Sequence, residues 1–368
     1  MSKKNTIHDV VQFLQNWAPP SYQESYDNSG LLTGNLNWDV SGALITLDCT
    51  EEVVKEAIEN SCNLIVAHHP ILFRPIKKLT GSNYVERTMI LAIQNNIAIY
   101  AIHTNLDNVK DGVNKMIGEK LGLTNLKILL PKKETLLKLV TFIPKTHTQQ
   151  VLDALHTAGA GQIGEYKNCS FTLEGTGAFS PTDKAKPFIG ESELAEKVNE
   201  DRIEVILPRH LEQAVLKALR TAHPYEEVAY YLSALTNENQ EVGSGMTGDL
   251  NPEMESLEFL QKVKKEMLSG CVRYTALCHP KIKKVAICGG AGSFLINAAK
   301  RAGAQILVSA DFKYHEFFDA ENQIILADIG HFESERFTKD LIGNVLQRNF
   351  VTFASIFSKT TTNPISYL

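Results

Sequence analysis

The chain has 368 residues, 43% of them hydrophobic and 21% charged, and a formal net charge of -5. That length calls for two or three folding units, and the acid excess gives no electrostatic ground for a nucleic-acid partner. No apolar run approaches the roughly 18 residues that span a bilayer, and the six cysteines lack both CxxC pairs and the dense spacing of a disulfide-stapled secreted domain, so a cytoplasmic location without a membrane partner is expected.

Thr6-Ile7-His8-Asp9 has the form of a capping box. Val10, Val11, Leu14 and Trp17 follow at helical spacing, and Pro19-Pro20 ends the helix. Asp27-Asn28-Ser29-Gly30 has turn chemistry and reads as a loop before the first repeated strand. Two distant segments, Ala43 to His69 and Val285 to Asp311, can be laid on each other without a gap, and each reads strand, helix, strand. Val53, Val54, Ala57 and Ile58 mark the apolar helix face of the first copy, and Leu295, Ile296 and Ala299 that of the second. Each copy continues into another strand, Ile97 to Ile102 and Gln323 to Ile329, that leads into histidine. Apolar strands separated by helices predict parallel sheets covered on both faces. The expected fold is α/β, with a duplicated αβα-type core.

Between the copies, residues 132–235 follow a different plan. Strands at Leu136 to Ile143, Ser170 to Leu173, Ile203 to Leu207 and Val228 to Leu232 alternate with helices at Gln149 to Ala158 and Leu211 to Ala222, a βαββαβ order. Leu211, Ala214, Val215, Ala218, Leu219 and Ala222 form one helical face. This segment is read as an insertion between two core halves, 1–131 and 236–368. The polar stretch Thr236 to Gly248 is expected to be the return linker.

Chemistry-bearing residues collect where the strands end, which is where α/β sheets gather ligands. His68 and His69 leave a strand side by side before Pro70. Adjacent side chains diverge, so they suit two neighbouring ions better than one; polar loop histidines are the plain alternative. His331 and Glu335 stand four apart and would share a helix face if Gly330 turns the chain. His103 and Asp107, and Asp311 and His315, repeat that spacing. Imidazole mixed with carboxylate suits zinc, manganese, iron or cobalt, whereas calcium prefers oxygen alone. Paired ions of this kind activate water, which makes hydrolysis the first expectation. Gly289-Gly290-Ala291-Gly292-Ser293 is either a phosphate cradle or a tight strand-to-helix turn. Lys281-Ile282-Lys283-Lys284, the only compact basic run, reads as a solvated strand edge.

The stretches DNSGLLTG (27–34), AHHP (67–70), HTNLD (103–107), CGGAGS (288–293), SADFKYHE (309–316) and GHFESE (330–335), in this order, resemble the Nif-three-like family of dinuclear-metal-centre hexameric proteins, also catalogued as GTP cyclohydrolase I type two homologues. The resemblance spans nearly the whole chain and implies two divalent ions per chain, zinc first, held by His68, His69, Asp107, His331 and Glu335, with Glu335 able to bridge. It implies that His103, Asp311, Lys313 and His315 line the site, and that the chain forms a toroidal homohexamer. GTGAF (175–179) and HPYEEVAY (223–230) look like parts of the ferredoxin-like, PII-type insert of longer members. Tyr26 stands where the family usually has tryptophan. The implied activity is hydrolysis of a small molecule, with Lys313 or the glycine turn holding an anionic group and His103 or His315 moving protons. The alternative is a metal-binding scaffold or regulator acting through its ring and insert.

Overall fold

The computed structural model describes residues 4–191 and 193–368. The chain divides into two compact units, Met1–Pro131 with Gln240–Leu368 and Lys132–Asn239. The first half of the larger unit contains α1 (Ile7–Trp17), β1 (Gly30–Thr33), β2 (Gly42–Thr46), α2 (Glu51–Glu59), β3 (Leu64–Ala67), α3 (Tyr84–Gln94), β4 (Ala98–Ala101), α4 (Thr104–Asp107), α5 (Val113–Lys120) and β5 (Thr124–Pro131). The smaller unit contains β6 (Leu136–Pro144), α6 (Thr148–Thr157), β7 (Phe171–Phe179), β8 (Glu196–Pro208), α7 (Glu212–Ala222) and β9 (Tyr230–Leu235). The larger unit resumes with β10 (Gly243–Glu255), α8 (Ser256–Glu266), β11 (Arg273–Tyr274), β12 (Lys281–Ala291), α9 (Ile296–Arg301), β13 (Ile306–Ala310), β14 (Ile325–Asp328), α10 (His331–Glu335), α11 (Thr338–Asn349) and β15 (Ala354–Phe357).

The larger unit holds two mixed sheets, β1-β4-β3-β2-β15, parallel but for β1, and β11-β14-β13-β12-β10-β5, parallel only across its β12-β13-β14 centre. Each half lends an edge strand to the other: β15 pairs in parallel with β2, and β5 pairs antiparallel with β10. Neither half can complete its sheet alone, which is why the outer pieces of the sequence fold together. Period-two alternation sorts each strand between two cores. Ala43 and Ile45 of β2 and Ile306 and Val308 of β13 face a shared core built with α1, α5, α8 and α11. Leu44 and Ile65 face the other way, against α2 and α3. Ala286 and Leu307 do the same against α9. The duplicated α/β core is thus present, with helices covering both faces of each sheet.

Local chemistry sets the helix starts. The Thr6 side chain accepts from the Asp9 N–H while Asp9 accepts from the Thr6 N–H, and Thr50 and Asn83 cap α2 and α3. Ile58 departs from its predicted place on the α2 core face and is exposed; Val53, Val54 and Ala57 carry that face alone. The stretch Thr236 to Gly248 is not wholly a linker, since β10 begins at Gly243. Its glycines belong to close strand approach: a Cβ at Gly243 would lie 2.3 Å from the Leu130 carbonyl oxygen, and one at Gly245 2.9 Å from that of Ile287.

In the smaller unit the antiparallel order is β7-β8-β6-β9, the second, third, first and fourth strands of the βαββαβ plan. One sheet face is covered by α6 and α7, through Leu139, Ile143, Val205 and Leu207 against Val151, Leu155, Val215 and Leu219. Leu216, not the exposed Ala214, completes the buried stripe of α7. The β7–β8 hairpin runs well past its predicted ends, because ladder pairing rather than burial sustains it.

Candidate metal centre

β3 runs Leu64-Ile65-Val66-Ala67 through the core and ends before Pro70, delivering His68 and His69 at its carboxyl end. His68 is fully buried, and its Nδ1 donates to the Ile102 carbonyl at 2.8 Å. That bond turns Nε2 inward, 3.6 Å from Asp107 Oδ1 and 3.8 Å from Glu335 Oε1. His69 points differently, as neighbours on a strand must. Its Nδ1 donates to Asp48 Oδ1 at 2.7 Å, and its Nε2 lies 2.9 Å from Glu335 Oε2. Gly330, at φ 91°, turns the chain from β14 into α10. One helical turn then places His331 Nε2 3.1 Å from Glu335 Oε2 and 3.4 Å from His69 Nε2. Asp107 arrives from α4, directly after β4.

All five ligand residues implied by the resemblance therefore meet. Donor atoms of His68, Asp107 and Glu335 lie within 4.8 Å of one another, as do those of His69, His331 and Glu335. Glu335 belongs to both sets and turns one oxygen to each. His68, His69 and His103 form a third such group.

Two observations test whether this donor set fits a metal. His68 Nε2 and Asp107 Oδ1 are buried with no hydrogen-bond partner among the described residues, and both face Glu335. Buried polar atoms without partners are rare and costly unless something else satisfies them. Secondly, every imidazole is held from behind through Nδ1: His68 by the Ile102 carbonyl, His69 by Asp48, His331 by Asp311 at 2.6 Å and His103 by Asp27 at 2.7 Å. This backing fixes the Nε2 lone pair toward the centre, the arrangement metal-binding histidines require. The residues could hold metal.

Electrostatics point the same way. Burial and the adjacent Glu335 carboxylate push Asp107 up to about 8. Burial would raise Glu335 too, yet the imidazoles of His331, His68 and His69 hold it well below the usual carboxylate range. Burial opposes protonation of His69 and His331, but Asp48 and Glu335 lift His69 to about 9, and Glu335 and Asp311 lift His331 to about 11. The buried carboxylates draw positive charge, which a proton or a divalent cation supplies.

The centre opens into a cavity of about 480 Å3 whose walls include Tyr26, Phe73, Phe294 and Phe332. Phe73 stands edge-on to His103, with ring centroids 5.7 Å apart. Lys313 and His315 are exposed on the segment after β13 and are not among the residues lining this cavity; Asp311 reaches the centre through His331. The glycine stretch is a close-approach turn, not an open cradle. The Gly289 N–H donates to Asn114 Oδ1, the Gly290 N–H donates to Ser334 Oγ, and a Cβ on Gly290 would lie 2.6 Å from Glu335 Oε1.

Several contributors were not singled out from the sequence. Asp48 lies two residues past the carboxyl end of β2, beside the ends that deliver His68 and His69, so the strand-end rule applied to β2 would have marked it. Asp27, read as part of a turn, accepts from His103 and from the Thr104 N–H and hydroxyl. The C-terminal segment carries no periodic signal, yet Thr362 donates to Asp48 Oδ2 at 2.5 Å and Asn363, Pro364 and Ile365 line the cavity.

The model of the family Duf34/NIF3 (NGG1p interacting factor 3) matches residues 5–364. A Bacillus subtilis protein named GTP cyclohydrolase 1 type 2 homolog is 38% identical over 375 aligned residues, covering 100% of both chains. A protein of the same name from Halalkalibacterium halodurans is 41% identical over 88% of this chain and 87% of its own. Among solved structures, a Bacillus cereus protein related to NIF3 superposes with a TM-score of 0.87 at 37% identity, over 100% of both chains. A Staphylococcus aureus protein superposes with a TM-score of 0.78 at 29% identity, over 99% of both.

Proposed function

The chain belongs to the Duf34/NIF3 family, and on that footing we propose that it is a metal-dependent hydrolase with two divalent cations at one centre. His68, Asp107 and Glu335 would hold one, and His69, His331 and Glu335 would hold the other. The observation carrying this reading is the split of Glu335, Oε1 toward His68 and Oε2 toward His69 and His331. The donor set favours zinc, then manganese, iron or cobalt.

Two cations so held supply Lewis acidity that lowers the pKa of water and polarises an electrophilic centre. The chain supplies the rest. Asp27 keeps the proton of His103 on Nδ1, leaving Nε2 to accept a proton from water and return it to the leaving group. Asp48 and Asp311 fix the ring orientations of His69 and His331. Tyr26, Phe73 and Phe294 offer flat apolar walls to a planar substrate and exclude water around it.

The relatives' name makes GTP the first compound to try, and the reaction then proposed is hydrolytic opening of a cyclic amidine. The family resemblance further supports a homohexamer, and the strand order of the smaller unit supports a ferredoxin-like, PII-type insert. Purified protein should be assayed against GTP, phosphoesters and cyclic amides beside His69→Ala and Glu335→Ala. Turnover that falls at least a hundredfold in both variants, with assembly intact, is the expected result. If no substrate turns over and the variants lose assembly instead, the centre is structural and the chain is a scaffold.

A further inference from the structure

A second cavity, of about 790 Å3, lies wholly within the smaller unit. It forms on the sheet face opposite α6 and α7, where Phe142, Glu200, Arg202 and Tyr231 project, and residues 180–189 contribute its outer wall. Two motifs that the metal centre leaves unused meet there, GTGAF at 175–179 and the Tyr225-Glu226-Glu227 part of HPYEEVAY.

The floor is Glu200, only 7% exposed. Its Oε1 accepts from the Tyr225 hydroxyl at 2.9 Å, whereas Oε2 accepts no hydrogen bond from any described residue. Gly177 makes room for that oxygen, since a Cβ there would lie 2.0 Å from it. His223 secures the rim: its Nε2 donates to the Phe142 carbonyl at 2.9 Å and its Nδ1 accepts from the Tyr225 N–H at 3.1 Å. Around Tyr225 stand Phe179 and Phe188, with ring centroids 6.0 and 6.3 Å away. The lining carries four carboxylates, Glu174, Glu200, Glu226 and Glu227, against one guanidinium; Glu174 is paired with Lys145 and Arg202 with Glu204, each at 2.7 Å, so the acid excess rests on Glu200, Glu226 and Glu227. Glu200 Oε2 is open to the cavity, where an N–H donor of a ligand can meet it. Aromatic walls select a flat partner and reward positive charge on it.

We propose that this cavity is a binding site for a small planar aromatic cation bearing forked N–H donors, such as an aryl amidine or a protonated amino-heterocycle, seated against the Phe188 and Tyr225 rings and paired with Glu200. It is independent of the metal centre.

The test is calorimetric titration of the full-length protein with benzamidine, neutral benzamide and anionic benzoate, repeated on Glu200→Gln and Phe188→Ala. Saturable binding of benzamidine, at least tenfold tighter than of the other two and weakened at least tenfold in both variants, is expected. The exposed position of Phe188 lets that variant fold even if Glu200→Gln does not. Absence of saturable benzamidine binding, equal binding of benzoate, or wild-type affinity in either folded variant overturns the proposal.

Discussion

Replacing Gly290 by alanine should disable the metal centre without touching a ligand. Gly290 sits at φ 62°, where an L side chain costs about 1–2 kcal/mol in backbone strain. Its new Cβ would also lie 2.6 Å from Glu335 Oε1 and 3.3 Å from His331 Cε1. Glu335 is buried and held by three histidines, so it cannot swing away freely, and overpacking of this kind costs a further amount of about 1–3 kcal/mol. Gly303 is the matched control: its φ is 74°, but nothing lies within 4 Å of a Cβ there. Chemical denaturation of the chelator-treated protein should show Gly290→Ala destabilised by about 2–5 kcal/mol and Gly303→Ala by only about 1–2 kcal/mol. Because Glu335 serves both donor sets, Gly290→Ala should also lose affinity for both cations at least tenfold, read by metal titration. Equal destabilisation of the two variants, or wild-type metal affinity in Gly290→Ala, would refute the close-approach reading of the glycine turn.

Asp48→Asn removes the carboxylate behind His69 and should weaken metal binding about 10–100-fold, measured by competition with a chromophoric chelator, while the fold persists. Asp27→Asn should retain both metals by elemental analysis yet lower turnover about a hundredfold or more, because Asp27 holds His103 and Thr104 and none of the five proposed ligands. Metal affinity should rise with pH between about 6 and 9, since cations must displace protons from His69 and His331, and calorimetry in buffers of different ionisation enthalpy should detect their release. In the chelator-treated protein the sign differs: folded values raised above the unfolded histidine value stabilise fully below about 6.5, and that stabilisation is lost as pH rises through about 9 for His69 and then about 11 for His331. Denaturation midpoints at pH 6.5 and 9.5 would check this.

The core was readable because its signals are local. Apolar runs such as Leu64-Ile65-Val66 and Ile306-Leu307-Val308 identify buried parallel strands, and the HxxxE spacing at His331 becomes convergent once Gly330 starts a helix. What escaped depends on contacts between distant residues. Asp27 and His103 lie 76 positions apart, and Thr362 and Asp48 lie 314 apart, so neither spacing nor periodicity links them. The glycines of β10 looked like linker because loose chain and tight strand approach use the same residue for opposite reasons. Lys313 and His315 share a motif with Asp311, yet the left-handed backbone of Asp311, at φ 57°, begins an exposed segment that carries them away from the cavity.

Metal stoichiometry by elemental mass spectrometry on wild type, His68→Ala, His331→Ala and Glu335→Ala bears most directly on the paired centre. Two equivalents in wild type, about one in each histidine variant and none in Glu335→Ala are expected, since in the proposed pairing His68 and His331 each serve a different cation and Glu335 serves both. A Glu335→Ala protein that still holds both equivalents, or a wild type that binds none, would contradict it.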